Sequence, residues 1–256
     1  MPEAEQPHQL FRKKRFWLLI LVFPFFLTLC EVWLNSSRTV DDYLADLREH
    51  GLPTSATELN DYYAVPPNLP DTTDLWVNAV VAAGLSETEK HLSFPVNDPT
   101  PIPAPGSSWK ELEAAEALIS ELAEELKVIR TAANSGGRAR YPLDLSLGLS
   151  VTIPYSSECQ KIARLLLLDA YVSAHRGNHV QASQDIIDTF ALADSFAAEP
   201  TLITQLRQMR IRWLVYNAVA DLLPHCDWTD EDLQQLQKAI ARGSAQHAIR
   251  IALNGE

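Results

Sequence analysis

At 256 residues the chain has room for an anchor and one sizeable core, and its 46% hydrophobic and 21% charged residues exclude disorder throughout. Lys and Arg total 21 against 33 Asp and Glu, a net charge of −12. Past the first 15 residues, 17 bases face 31 acids, a charge of −14, which argues against nucleic-acid binding because that needs clustered bases to release counterions.

Residues 1–15 form a basic tail in which Arg12, Lys13, Lys14 and Arg15 abut an uncharged apolar run, Phe16 to Cys30. After Glu31 the run resumes as Val32-Trp33-Leu34. As a helix rising ~1.5 Å per residue, 16–34 spans about 28 Å, close to the ~30 Å hydrocarbon core of a bilayer. Trp17 and Trp33 stand near its ends, where indoles favour the headgroup interface, and Pro24 is tolerated mid-span as a kink. The segment therefore reads as a transmembrane anchor contacting membrane lipid. Its basic flank predicts a cytoplasmic N-terminus and an extracytoplasmic remainder. Two alternatives compete with an uncleaved anchor. Leu27-Thr28-Leu29-Cys30 departs from a lipobox only at Leu29, which would make the chain a lipoprotein modified at Cys30. Thr28 and Cys30 would otherwise mark a cleaved signal peptide, although no A-x-A pattern is present.

Residues 35–94 read as a region of short helices. Thr39 to His50 places Val40, Tyr43, Leu44 and Leu47 on one face, Ser55-x-x-Glu58 is a capping box, and Asp71 to Ala83 ends at Gly84. Residues 95–106, with five prolines, read as an extended linker outside any helix. Residues 107–256 then form a helical bundle domain. Ser108-x-x-Glu111 predicts the start of a helix carrying Leu112, Ala115, Leu118, Leu122, Leu126 and Ile129, its glutamates solvating the outer face. Leu143, Leu145, Leu147 and Leu149 alternate as in a short extended stretch. Helix 156–176 holds Leu165 to Leu168, apolar on more than one side, and should be central. Gly177 and Asn178 make the turn into helix 179–198, which buries Ala182, Ile186, Phe190, Ala193 and Ala197. Helix 201–223 shows bulky residues at 202, 206, 209, 213, 216, 220 and 223, predicting that this face packs inward and that Gln205, Gln208 and Arg212 lie outside. Thr229-x-x-Asp232 caps a last helix.

The predicted fold is all-α: an N-terminal transmembrane helix, then an antiparallel bundle of helical hairpins. Ala170 to Ala191 resembles the turn of a tetratricopeptide hairpin, with Ala170, Gly177 and Ala182 at the small-residue positions, although no second copy recurs. The basic flank and apolar helix, Glu58 to Tyr63 before prolines, Arg140-Tyr141-Pro142, the Leu-rich helix and Glu199-Pro200 through Leu206 together resemble a group of membrane-anchored helical proteins from planctomycete genomes. That resemblance implies fold and topology only. Members of the group tend to continue past Glu256, so the chain reads as a short or truncated member.

No zincin, nucleophile-elbow, phosphate-loop or dinucleotide motif occurs, so no cofactor, metal or catalytic residue is expected. His175 and His179 are separated by the Gly177-Asn178 turn and read as exposed turn residues. The three cysteines fit no zinc spacing, and Cys159 and Cys226 read as buried thiols rather than a disulfide. Asp169, inside the Leu-rich helix, needs a cation if buried, and connectivity nominates Arg207 or Arg210. Two function classes follow. One is a membrane-tethered extracytoplasmic helical module that binds or scaffolds an unidentified protein, without enzymatic activity. The alternative is a ligand-binding or enzymatic domain with a polar inter-helix pocket around Asp169.

Overall fold

The computed structural model describes residues 30–31, 39–85, 102–153, 155–243 and 251. Most of the predicted anchor, including Trp17 and Trp33, and the basic residues Arg12, Lys13, Lys14 and Arg15 lie outside these residues. Among the described residues no helix is long and apolar enough to cross a membrane. The described chain is all-helical, with no β-strand beyond an isolated bridge between Asp71 and Arg138.

Two units are distinguished, residues 1–54 and 55–256. In the first, α1 (Val40–Glu49) begins at a capping box in which Thr39 and Asp42 exchange hydrogen bonds, and Val40, Tyr43 and Leu47 are exposed. The second contains α2 (Ala56–Tyr62), α3 (Thr73–Leu85), α4 (Leu112–Glu121), α5 (Ala123–Ala133), α6 (Ser156–His175), α7 (His179–Ser195), α8 (Leu202–Leu222) and α9 (Asp230–Ala241). Ser55 caps α2, and Thr229 with Asp232 forms the predicted box at α9.

The proline segment does not separate two cores. Trp76, Ala79, Val80 and Ala83 of α3, at helical spacing, pack into one core with Leu126 and Ile129 of α5 and Ile162 and Leu166 of α6. Residues 102–106 are outside any helix, as predicted, yet they lie against that core: Ile102 is part of its rim, and the Pro103 carbonyl accepts a 2.8 Å hydrogen bond from His175 Nε2. His175 also packs on the Trp109 ring, 5.1 Å between centroids, so it is a half-buried packing residue rather than an exposed turn residue.

Two local expectations change. The helix foreseen from Ser108 starts at Leu112 without a side-chain cap and breaks at Leu122 into α4 and α5. Leu118, Leu122 and Leu126 stay buried on both sides of the break, so the kink lets one apolar stripe follow a curved core. Of the alternating leucines, Leu145, Leu147 and Leu149 fall in a short 3-10 segment, Leu145–Ser150, because Asp144 caps the Ser146 amide at 3.1 Å and starts a turn, while Leu143 precedes it.

The α6–α7 hairpin is the centre of the bundle. Gly177, at φ 75°, ends α6 in a Schellman turn: the Asn178 amide reaches the Ser173 carbonyl at 2.8 Å and the Gly177 amide reaches Ala174 at 3.1 Å. Asn178 then caps α7. Helix α6 meets α3, α4, α5, α7 and α8, while α7 meets α5, α6, α8 and α9. Cys159 is buried and Cys226 half-buried, and both are free thiols.

Candidate functional site

Asp169 is buried within α6, as the sequence implies, but its cation comes from a different helix. Arg130 of α5 donates from Nη2 to Asp169 Oδ2 and to Asp185 Oδ1, the latter at 2.7 Å, and from Nε to Asp185 Oδ1 at 3.0 Å. The nomination of Arg207 and Arg210 is thus corrected. Helix α8 does pack on α6, but α6 has five neighbouring helices, and hairpin order cannot say which of them faces one side chain. Arg207 instead favours the charged form of Glu199, and Arg210 lies over the exposed ring of Trp213, 4.4 Å from its centroid.

The cluster extends along one face of α7 at positions 181, 184, 185 and 188. Gln181 Nε2 donates to Asp185 Oδ1 at 3.0 Å. Asp188 Oδ1 accepts from Gln184 at 2.7 Å and from Asn134 Nδ2 at 3.3 Å, and the same Asn134 amide caps the Arg130 carbonyl at 2.8 Å. The C-terminal end of α5 is thereby latched to α7. Asp185 is 0% exposed, and its Oδ2, like Asp188 Oδ2, is buried without a hydrogen bond among the described residues. Burial, reinforced by the Asp169 carboxylate, pushes the Asp185 carboxyl up to about 7 against the pull of Arg130 and Gln181. Burial takes Asp188 to about 6. Chemically this is a core that holds protons near neutrality. Among the described residues no group of His, Cys, Asp and Glu is arranged to hold a metal ion.

Sequence reasoning missed Arg130, Asp185 and Asp188. One signal was available. From 179 to 198 the only charged residues are Asp, with no Lys, Arg or Glu, whereas a solvated helix face normally carries long charged side chains.

A second buried polar network joins stretches far apart in the chain. The Tyr63 hydroxyl accepts the Tyr141 amide at 3.0 Å and favours the charged form of Glu199, whose Oε1 accepts from Thr204 Oγ1. The Tyr141 hydroxyl lies 2.9 Å from Ser195 Oγ, and Arg140 reaches Asn60. The segments that carry the resemblance noted above, 58–63, 140–142 and 199–206, therefore meet in space. Burial pushes the Glu199 carboxyl up to about 7 and the Cys159 thiol up to about 12. Tyr63→Phe leaves the buried Tyr141 amide without its partner. The expected loss is about 1–3 kcal/mol by urea denaturation, and a loss under ~0.5 kcal/mol would show that the hydroxyl does not hold the network.

Helix α8 is turned opposite to its sequence pattern. Thr204, Gln205, Gln208 and Arg212 are buried, while Leu202, Ile203, Leu206, Trp213, Tyr216 and Leu223 are exposed, Trp213 by 51%. The inward polar residues have internal work to do. Gln205 Nε2 donates to the Phe196 and Glu199 carbonyls at 3.0 and 2.7 Å, satisfying acceptors just past the end of α7. Arg212 reaches Asp194 and lies 5.5 Å over the Phe190 ring. Ile211, Val215, Ala218 and Leu222 complete the buried face, so the large apolar residues are left pointing out.

No protein family, curated protein or solved structure matches the chain.

Proposed function

We propose that this chain is a membrane-tethered helical module whose domain, on the extracytoplasmic side, binds protein through the outward face of α8. The observation that carries this reading is the exposed row Leu202, Leu206, Trp213 and Tyr216, with Arg210 stacked on Trp213. Monomeric surfaces rarely gather large apolar side chains in one stripe, and aromatic residues flanked by Arg are the usual anchors of interfaces. The tether rests on the basic flank and the apolar segment 16–34. Membership of the planctomycete group belongs to the same reading. A catalytic or ligand pocket at Asp169 is the less favoured reading, since Arg130 already engages that carboxylate.

A photo-crosslinking residue at Leu206 in the full chain, expressed in cells, tests the binding face. Protein adducts are expected there and not from the exposed Glu113 on α4. Equal labelling at both positions sinks the reading. For the topology, protease added to spheroplasts should digest the chain beyond Asn35, and full protection of that region would overturn the proposed orientation.

A further inference from the structure

The same face carries enough pattern to specify a partner, and the inference rests on its being a docking face. Over the 21 residues of α8 the outward positions include one base, Arg210, and one acid, Asp221. They are 11 residues apart, close to three full turns, so they share a flank about 16 Å apart at ~1.5 Å per residue, too far to pair with each other. Tyr171 holds Asp221 from behind, its hydroxyl donating to Oδ2 at 2.7 Å. Between them along the stripe, Trp213 is the largest side chain, and Asn217 and Ala220 are small.

We propose that α8 pairs antiparallel with α8 of a second copy, about a two-fold axis between Val215 and Tyr216. That axis keeps each flank on its own side, so Arg210 faces the partner's Asp221 twice, and Trp213 lies over the small residues around the partner's Asn217. Two observations favour a second copy over other occupants. A chain of net charge −12 repels its own copies, so self-association needs a stripe where charge is sparse and complementary, which this face supplies. An isologous contact must be complementary to itself, and an Arg–Asp pair placed symmetrically with a large residue opposite small ones meets that requirement.

The register is testable in the full chain in mild detergent. Position 217 lies about 2 Å from the axis along the helix, within disulfide reach of its own copy, whereas the two copies of position 206 lie about 28 Å apart. Under mild oxidation Asn217→Cys should form a disulfide-linked dimer that neither the wild-type chain nor Leu206→Cys forms. By sedimentation the wild type should be a dimer. Arg210→Asp and Asp221→Arg should each weaken it tenfold or more, and the double exchange should restore it. Asn217→Cys and Arg210→Asp leave the Tyr171 contact intact, so they decide the matter if Asp221→Arg unfolds. A monomer at ~100 µM, a monomer that associates only with lipid vesicles, or linking of Leu206→Cys as readily as Asn217→Cys overturns the pairing. A monomer that still gives a photo-adduct of another mass at position 206 sinks the pairing but leaves the docking face standing; no adduct sinks both.

Discussion

Arg130→Met at pH 8 is expected to destabilise the 55–256 unit by about 4 kcal/mol, because it strips a shared cation from two buried carboxylates and breaking one side of a buried ion pair costs ~3–5 kcal/mol. Arg130 binds both Asp169 and Asp185, so no other cluster substitution removes as much at once. Asp169→Ala should cost less, since Arg130 keeps Asp185 and the repulsion between the two aspartates disappears. At pH 5 the Arg130→Met penalty should shrink, because carboxyls without their cation take up protons and become neutral. Replacing all three with apolar residues of similar volume should recover most of the loss. Urea denaturation of the four proteins at both pH values measures each step. If Arg130→Met costs less than 1 kcal/mol at pH 8, the cluster does not stabilise the fold.

Asp185 alone is expected to take about 3 kcal/mol of stability from the wild-type domain between pH 5 and pH 8. Asp185 has a folded value of about 7, raised above the ordinary carboxylate range near 4 that applies to the unfolded chain. A group raised in this way holds its proton more tightly when folded. Its contribution is fully present below pH ~4 and is lost as pH rises through about 7, at ~1.4 kcal/mol per unit. Asp188, about 6, and Glu199, about 7, act in the same direction. The groups around Asp185 are Arg130 from α5, Asp169 from α6 and Gln181 on its own helix. Arg130 limits the shift without reversing it. Asp185→Asn should remove about 3 kcal/mol of the pH dependence and leave the share of Glu199 and Asp188. A urea midpoint that rises from pH 5 to pH 8 would falsify this account of the core.

What residues 39–243 determined locally was legible where a rule acts within one or two turns. Thr229 and Asp232 cap α9, Gly177 and Asn178 make the α6–α7 turn, and Ala182, Ile186, Phe190 and Ala193 are buried, because capping and periodicity depend only on near neighbours. The all-helical class followed from the same local signals, and the burial of Asp169 followed from its leucine flank. The tertiary structure decided what periodicity leaves open. A helix with one bulky face and one polar face looks the same in sequence whichever way it is turned, and α8 is turned by the acceptors waiting for Gln205 past the end of α7 and by Asp194 waiting for Arg212. Arg130 became the partner of Asp169 for a similar reason: 39 residues separate them, and only the packing of α5 against α6 and α7 brings guanidinium and carboxylate together. Hydrogen-bond partners across a core are chosen by three-dimensional proximity, and α8 exposes its apolar stripe because the core had already committed its polar groups to the opposite face.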